Sequence, residues 1–340
     1  MEKLKMGIIG AGVWGKTHAS IYDEHAFAET VAICDRDISK AEALAAKHGV
    51  KDVYTDYTEM LEKANCDAVA IVTPDFLHAD VAIACANAKK HMLIEKPLAT
   101  TRKDVFGIME AIEKNKVRAM VDLHNRWAPP VNTAKQAIDA GELGDPVSAY
   151  IKLNDVMWVA TDMLSWAAQS SILWFLGSHS LDTMQWLLGS RVRRVYSVAH
   201  EGILKSAGVD AVDMYLTTLE FENGCIGHME NGWVTPNANP NINDIKYTVL
   251  GTKGMINIDC SSHTMIQKVT DKVTTPDVIV GNKVDGYVKG FAYEAIRSFI
   301  DRLLDGKPFL VSMEDAMNTS LALLAVLESA KTRMPVEVEY

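Results

Sequence analysis

The chain contains no CxxC pair, and its five cysteines, Cys34, Cys66, Cys85, Cys225 and Cys260, lie far apart. An odd, scattered set excludes a disulfide scaffold, argues against a cysteine-based metal site, and suits reduced, mostly buried thiols. HExxH, a histidine–cysteine cluster and EF-hand spacing are missing as well, so no metal is invoked. Lys/Arg clusters are also lacking, and 44 acidic against 34 basic residues leave a net charge of −10. A nucleic-acid partner needs a basic face, so that class is excluded. No apolar run approaches the roughly 18 residues of a membrane span. The stretch from Met1 to Gly12 enters a glycine turn after a few apolar residues, without the long apolar core of a signal peptide. The expectation is a cytoplasmic protein. Internal repeats and low-complexity tracts are likewise absent.

What is present has the balance of an ordinary soluble protein, with 48% hydrophobic and 23% charged residues over 340 positions. Single cores stop growing at roughly 250–300 residues, so this length predicts two. In the first part of the chain, short apolar runs alternate with helical patterns. Strands are predicted at Met6–Ile9, Thr30–Cys34, Ala68–Val72, His91–Ile94 and Arg118–Val121. Helices are predicted at Val13–Glu24, Ile38–His48, His78–Ala88 and Lys103–Asn115. A continuous apolar run such as Ala68–Val72 marks a parallel strand covered on both faces. The alternation specifies an α/β, doubly wound parallel sheet over residues 1–123.

The rhythm changes after His124. A helix over Val131–Ala140 ends at Gly141, and strand-like runs then dominate. They are Val147–Leu153, Val192–Ala199, Met214–Phe221, Cys225–Trp233, Tyr247–Leu250, Met255–Ile258 and His263–Val269. Turn signals at Glu222-Asn223-Gly224 and Gly251-Thr252-Lys253-Gly254 read as antiparallel hairpins. Helices are expected near Ser178–Leu188, Ala292–Asp305 and Met313–Lys331. Residues 124–340 therefore read as an α+β domain built on an open, mostly antiparallel sheet. His228 and His263 fall in strand-like runs and read as structural.

Gly10-Ala11-Gly12-Val13-Trp14-Gly15 follows a predicted strand and opens a predicted helix. The first glycine permits the tight turn, the second lets backbone approach a pyrophosphate, and the third lets helix and strand pack closely. Free N–H groups at the helix start then face the phosphates. Asp35 ends the next strand about 20 residues on, where an acid accepts hydrogen bonds from both ribose hydroxyls of NAD and repels a 2′-phosphate. Arg36 directly after it offers a partial site for NADP. The first domain is thus expected to be a Rossmann domain that binds NAD, with NADP as the alternative.

Ile94-Glu95-Lys96-Pro97 ends the strand over His91–Ile94. Ligands in open α/β sheets lie outside the carboxyl ends of the strands, which directs Lys96 to the cofactor cleft. A lysine there can hydrogen-bond a reacting hydroxyl and stabilise the developing alkoxide. Taken alone, a lysine after a strand is more often a solvated surface group. The second candidate is His179, in Gly177-Ser178-His179-Ser180-Leu181-Asp182 at the start of an amphipathic helix. Histidine titrates near neutrality and can take a hydroxyl proton as hydride leaves. Taken alone, a histidine at a helix start is more often structural.

Glu95-Lys96-Pro97, set after the glycine motif and after Val72-Thr73-Pro74-Asp75, resembles the glucose–fructose oxidoreductase / inositol dehydrogenase (Gfo/Idh/MocA) family. The likeness continues through Asn125-Arg126-Trp127, Gly141-Glu142-Leu143-Gly144-Asp145-Pro146 and Gly251-Thr252-Lys253-Gly254, and so covers nearly the whole chain. It implies a Rossmann domain followed by an open antiparallel sheet, with Lys96 catalytic and His179 the acid/base. It further implies a cofactor surface of Gly10, Gly12, Val13, Trp14, Gly15, Asp35, Arg36, Thr73, Pro74, His78, Glu95, Lys96 and Arg126. On the substrate side it points to Lys96, Asn125, Asn154, Trp158, Trp166, Phe175, His179 and Asp182. One position departs from the pattern. Many sugar and cyclitol dehydrogenases of the family carry an aspartate four residues before this histidine, where the chain has Phe175. Asp155, Asp162 and Asp182 are the carboxylates that can compensate. Trp158, Trp166 and Trp174 cluster before His179, with Trp14 and Trp127 near the predicted cofactor mouth, and flat aromatic faces stack on sugar rings or fill a junction.

The activity implied is hydride transfer between NAD(P) and a secondary alcohol of a sugar, cyclitol or sugar derivative. Two alternatives share the scaffold: a glycoside-cleaving enzyme that retains NAD through oxidation, elimination and reduction, and a non-catalytic sugar or nucleotide sensor. Retention of Lys96 and His179 speaks against the sensor. An open sheet needs cover on one face, and the resemblance implies a homodimer or homotetramer.

Overall fold

The apolar runs of the first 123 residues become the strands of one parallel sheet. In this computed structural model, residues 2–261, 265–271, 273–275 and 277–340 are described. The elements run β1 (Leu4–Ile9), α1 (Val13–Glu24), β2 (Ala28–Cys34), α2 (Ile38–His48), β3 (Asp52–Tyr54), α3 (Tyr57–Lys63), β4 (Ala68–Ile71), α4 (His78–Asn87), β5 (His91–Ile94), α5 (Arg102–Asn115) and β6 (Ala119–Val121). The sheet order is β3-β2-β1-β4-β5-β6, every pair parallel. All four residues of β4 are buried, as an apolar run sandwiched between helices requires. Helix starts follow capping chemistry: Asp37 accepts the Ser39 N–H and Thr101 accepts the Asp104 N–H. Order reverses between β1 and β4, so the switch point of the sheet lies where the glycine turn leaves β1.

The following segment carries α6 (Pro129–Asp139), β7 (Pro146–Val156), α7 (Ser178–Leu188), β8 (Val192–His200), α8 (Ile203–Ser206), β9 (Met214–Phe221), β10 (Ile226–Thr235), β11 (Asn243–Gly251), β12 (Met255–Asp259), β13 (Lys268–Val269) and β14 (Val273–Thr274). Then come β15 (Asn282–Val284), β16 (Tyr287–Lys289), α9 (Phe291–Leu304), α10 (Met313–Thr332) and β17 (Val336–Glu337). A seven-stranded sheet in the order β12-β11-β7-β10-β9-β8-β17 is antiparallel except where β10 runs parallel to β7. Asn231 of β10 donates to the Ser180 hydroxyl of α7 at 2.9 Å, which identifies the face that α7 covers. Tyr196, Val198, Leu216, Ile226, Leu250 and Met255 lie on the opposite, open face and are exposed.

The chain divides into two compact units, Met1–His124 with Ile279–Met317, and Asn125–Val278 with Asn318–Tyr340. Ile279–Met317, counted with the second domain on sequence grounds, therefore packs with the first. Its apolar helix face, Phe291, Ala295, Ile296, Phe299 and Ile300, is buried, and α9 packs on α1. Arg297 donates to Glu24 at 3.0 Å, and Arg118 donates to the carbonyls of Arg302 and Leu303 while lying over the Phe309 ring. The five cysteines are free thiols, and burial pushes Cys34 up to about 12. His263, with the start of its expected strand, lies outside the described residues. Among the described residues no helix is long and apolar enough to cross a membrane.

Candidate active site

Gly10 leaves β1 with a φ of 111°, and a Cβ there would run into the Val72 carbonyl oxygen, so only glycine makes the turn. At Gly15 a Cβ would meet the carbonyl of Gly10, which is the close helix–strand packing expected of the third glycine. Gly12 is different. Its φ is −73°, and a Cβ would meet no atom of the chain within 4 Å. Nothing in the protein's own packing demands glycine there, and the cradle suits close approach by a ligand. The cap of α1 carries no side-chain hydrogen bond, so its first N–H groups keep the geometry of an anion site. Asp35 accepts the Ala11 N–H at 2.7 Å and the Asp37 N–H at 2.9 Å, which fixes its carboxylate beside the turn. Arg36 and Val13 are exposed, and Trp14 stacks on His124 at 5.7 Å.

After β4 and β5 the two loops are tied together. His78 is fully buried, with Nδ1 2.7 Å from the Pro97 carbonyl and Nε2 3.0 Å from that of Thr73. This histidine was expected on the cofactor; its ring instead sits between two backbone oxygens. The clamp holds the Thr73-Pro74 loop to the turn that carries Lys96, which is half-buried and followed by a cis bond to Pro97.

Glu95, also expected on the cofactor, turns inward. His18 of α1 places Nδ1 2.9 Å from the Tyr22 hydroxyl and Nε2 3.4 Å from Glu95 Oε1. Asp122, just past β6, lies 3.5 Å from His124 Nδ1. Burial opposes ionisation of Glu95, yet the hydrogen bond and charge of His18, with the charges of Lys96 and His124, hold its carboxyl below the usual range. Asp122 goes the other way, pushed up by burial and then by the Glu95 charge. Donor atoms of His18, Glu95 and Asp122 lie within 4.8 Å of one another. Both nitrogens of His18 are engaged, one by the Tyr22 hydroxyl and one by Glu95, while neither Asp122 oxygen has a hydrogen-bond partner among the described residues.

In the second unit, His179 is buried at the start of α7. Arg126 and Asp182, expected respectively on cofactor and substrate, form a buried bidentate pair, with Nε to Oδ2 at 3.0 Å and the second nitrogen to Oδ1 at 2.6 Å. Asn125 donates to the Tyr247 hydroxyl at 3.1 Å and to Thr183 at 3.4 Å. Phe175 lies in a π-helical turn over Leu173–Gly177, 5.8 Å from the fully buried ring of Trp233 and 6.3 Å from that of Trp166. Trp174 is buried, Trp158 and Trp166 are half-buried, and the backbone N–H of Trp158 donates to the Asn237 side chain.

Asn154 is not brought to that group. Its amide donates to Glu230 at 2.7 Å on the open face, along with Tyr150 and Lys152. The next residue, Asp155, lies on the α7 face, is 1% exposed, and accepts from Asn243. Of the three compensating carboxylates, Asp182 is committed to Arg126 and Asp162 is exposed beside Thr161. Asp155 is the buried one, on the face of the sheet that α7 covers. Trp233 escaped the sequence reading because only the fold brings its ring to Phe175, 58 positions away in the chain.

Comparison with known proteins agrees with this architecture. A family model described as "Oxidoreductase family, NAD-binding Rossmann fold" matches residues 4–123, and a "GFO/IDH/MocA C-terminal domain" model matches residues 131–257. Levoglucosan dehydrogenase of Pseudarthrobacter phenanthrenivorans is 30% identical over 75% of this chain and 73% of its own. The scyllo-inositol 2-dehydrogenase (NAD(+)) of Bacillus subtilis is 27% identical over 99% of this chain and 97% of its own. In structure, myo-inositol 2-dehydrogenase from Lactobacillus plantarum shares the fold, with a TM-score of 0.85 at 20% identity over 99% of this chain and 100% of that one. The glycine turn with its Asp35 partner, the lysine turn after β5 and these matches lead to one conclusion: the chain belongs to the Gfo/Idh/MocA family and is an NAD-binding oxidoreductase.

Proposed function

We propose that the enzyme moves hydride reversibly between NAD and a secondary alcohol of a sugar, cyclitol or sugar derivative. The observation that carries this reading is Lys96, held at the carboxyl end of β5 by a turn that His78 clamps to the loop after β4. Gly10, Gly12 and Gly15 with the start of α1 would hold the pyrophosphate, and Asp35 the adenosine ribose. Bound there, NAD supplies the hydride acceptor. Lys96 hydrogen-bonds the reacting hydroxyl oxygen and stabilises negative charge developing on it. His179 takes the hydroxyl proton and returns one in the reverse direction. We assign Asp155 as the carboxylate that supports His179 in place of the aspartate replaced by Phe175. Names of relatives support the alcohol class, since they include dehydrogenases of inositols and of levoglucosan.

Lys96→Met tests the assignment. Turnover should fall by about a thousandfold, while NAD affinity, followed by quenching of intrinsic fluorescence, stays within about threefold. An active Lys96→Met enzyme would remove the mechanism. A panel of polyols and sugars, run with NAD and with NADP while NADH or NADPH absorbance is followed, identifies substrate and cofactor preference. Glycoside cleavage without net NADH would replace this reading with the cofactor-retaining one. We also propose that a second copy of the chain covers the open face of the seven-stranded sheet, because Tyr196, Leu216, Ile226 and Met255 stand exposed on it.

A further inference from the structure

The cluster beneath the lysine turn is assembled from three parts of the first unit. His18 and Tyr22 come from α1, Glu95 from the end of β5, and Asp122 and His124 from the segment after β6. His18, Tyr22 and Asp122 are fully buried, and Glu95 and His124 are 6% and 7% exposed. Two carboxyl groups this deep cannot both ionise without a large desolvation cost. The surroundings divide the roles. Glu95 faces His18 at 3.4 Å, while His124 faces Asp122 at 3.5 Å. Lys96 follows Glu95 directly in the chain, and their charges interact. Glu95, hydrogen-bonded to His18, is the carboxyl held below the usual range, whereas Asp122, whose two buried oxygens have no hydrogen-bond partner among the described residues, is the one pushed up.

We propose that Glu95 is a positioning residue for Lys96: an interior carboxylate, anchored from α1 by His18, that keeps the neighbouring ammonium charged and its turn set. The inference rests on the reading of Lys96 as the catalytic group. Glu95 touches no reacting atom in this scheme and acts only through the lysine. A consequence is that the helix beginning at the glycine turn and the strand delivering the lysine share one hydrogen-bonded joint. The groups that face Glu95 are His18 and Tyr22 from α1, Asp122 and His124 after β6, and Lys96 itself, so its charge is set by a closed set of residues.

The test reads the lysine directly and needs no substrate. The full-length protein, free of dinucleotide, is pulsed with trace acetic anhydride across a pH series, and acetylation of Lys96 is measured by peptide mass spectrometry. Removing the carboxylate charge in Glu95→Gln should lower the pH midpoint of Lys96 modification by about one unit. Asp122→Asn disturbs the same cluster but replaces a group read as neutral and leaves the Glu95 carboxylate with its His18 partner, so its midpoint should match the wild type. If Glu95→Gln does not fold, the double variant His18→Gln/Glu95→Gln restores a neutral hydrogen-bonded pair and should show the same fall. An unmoved midpoint in the Glu95 variants, or an equal shift in Asp122→Asn, would overturn the proposal. An active Lys96→Met enzyme would instead sink the catalytic reading while leaving the labelling result standing.

Discussion

Arg126 and Asp182 show how much a single buried pair can hold. The two-pronged contact joins the segment after His124 to α7, one turn beyond His179, with the guanidinium 5.5 Å from the Trp186 ring. Arg126→Met leaves an uncompensated interior carboxylate, and urea unfolding should register a loss of about 3–5 kcal/mol. Arg126→Met/Asp182→Leu should recover most of that loss, and a single variant as stable as the wild type would contradict the account. The same pair marks where residue-level reading stops. Each partner looks like a ligand-binding polar group in the sequence, and only the fold shows that they satisfy each other. Asn154 and Asp155 make a similar point. Both are polar, so period-two alternation does not say which one faces α7, and a one-residue choice exchanges the two faces of the sheet. Glu95 and His18 stand 77 positions apart, beyond the reach of any local pattern.

At the scale of elements, the glycine turn was legible because its three glycines sit at the seam of a strand and a helix, and each spacing has its own steric reason. Gly10 and Gly12 separate those reasons experimentally. Gly10→Ala forces a side chain into a left-handed backbone against Val72, and thermal unfolding should show a loss of at least about 2 kcal/mol. Gly12→Ala meets nothing in the chain, so its stability should stay within about 0.5 kcal/mol of the wild type. Its NAD affinity, measured by titration calorimetry, should nevertheless drop at least about tenfold. Equal effects at both positions would undo the distinction. The apolar strands β1, β4 and β5 were readable for the same kind of reason, since burial on both faces leaves an unbroken run. β3 and α3 were not predicted. A three-residue edge strand with Asp52 exposed has almost no pattern to read, and α3 is only two turns long.

For the molecule as a whole, charge and open surface make the next prediction. The net charge of −10 favours solubility, while six apolar residues stand exposed on one face of the seven-stranded sheet. Sedimentation analysis should find a dimer or tetramer. Placing lysines at Leu216 and Ile226 should dissociate it, and a wild-type monomer at micromolar concentration would refute the expectation. The order of the two cores along the chain was legible, because the change from alternating to strand-rich pattern at His124 reflects a real change of architecture. The return of Ile279–Met317 to the first unit was not, because an amphipathic helix carries no label for the surface it will cover. That return governs how the protein can be cut and recombined. A nucleotide-binding half excised at Leu123 would lose α9, the wall against which α1 packs, along with the Arg297 anchor on Glu24. Chimaeras with relatives must be spliced at three seams, so that residues 279–317 travel with the amino-terminal portion they complete.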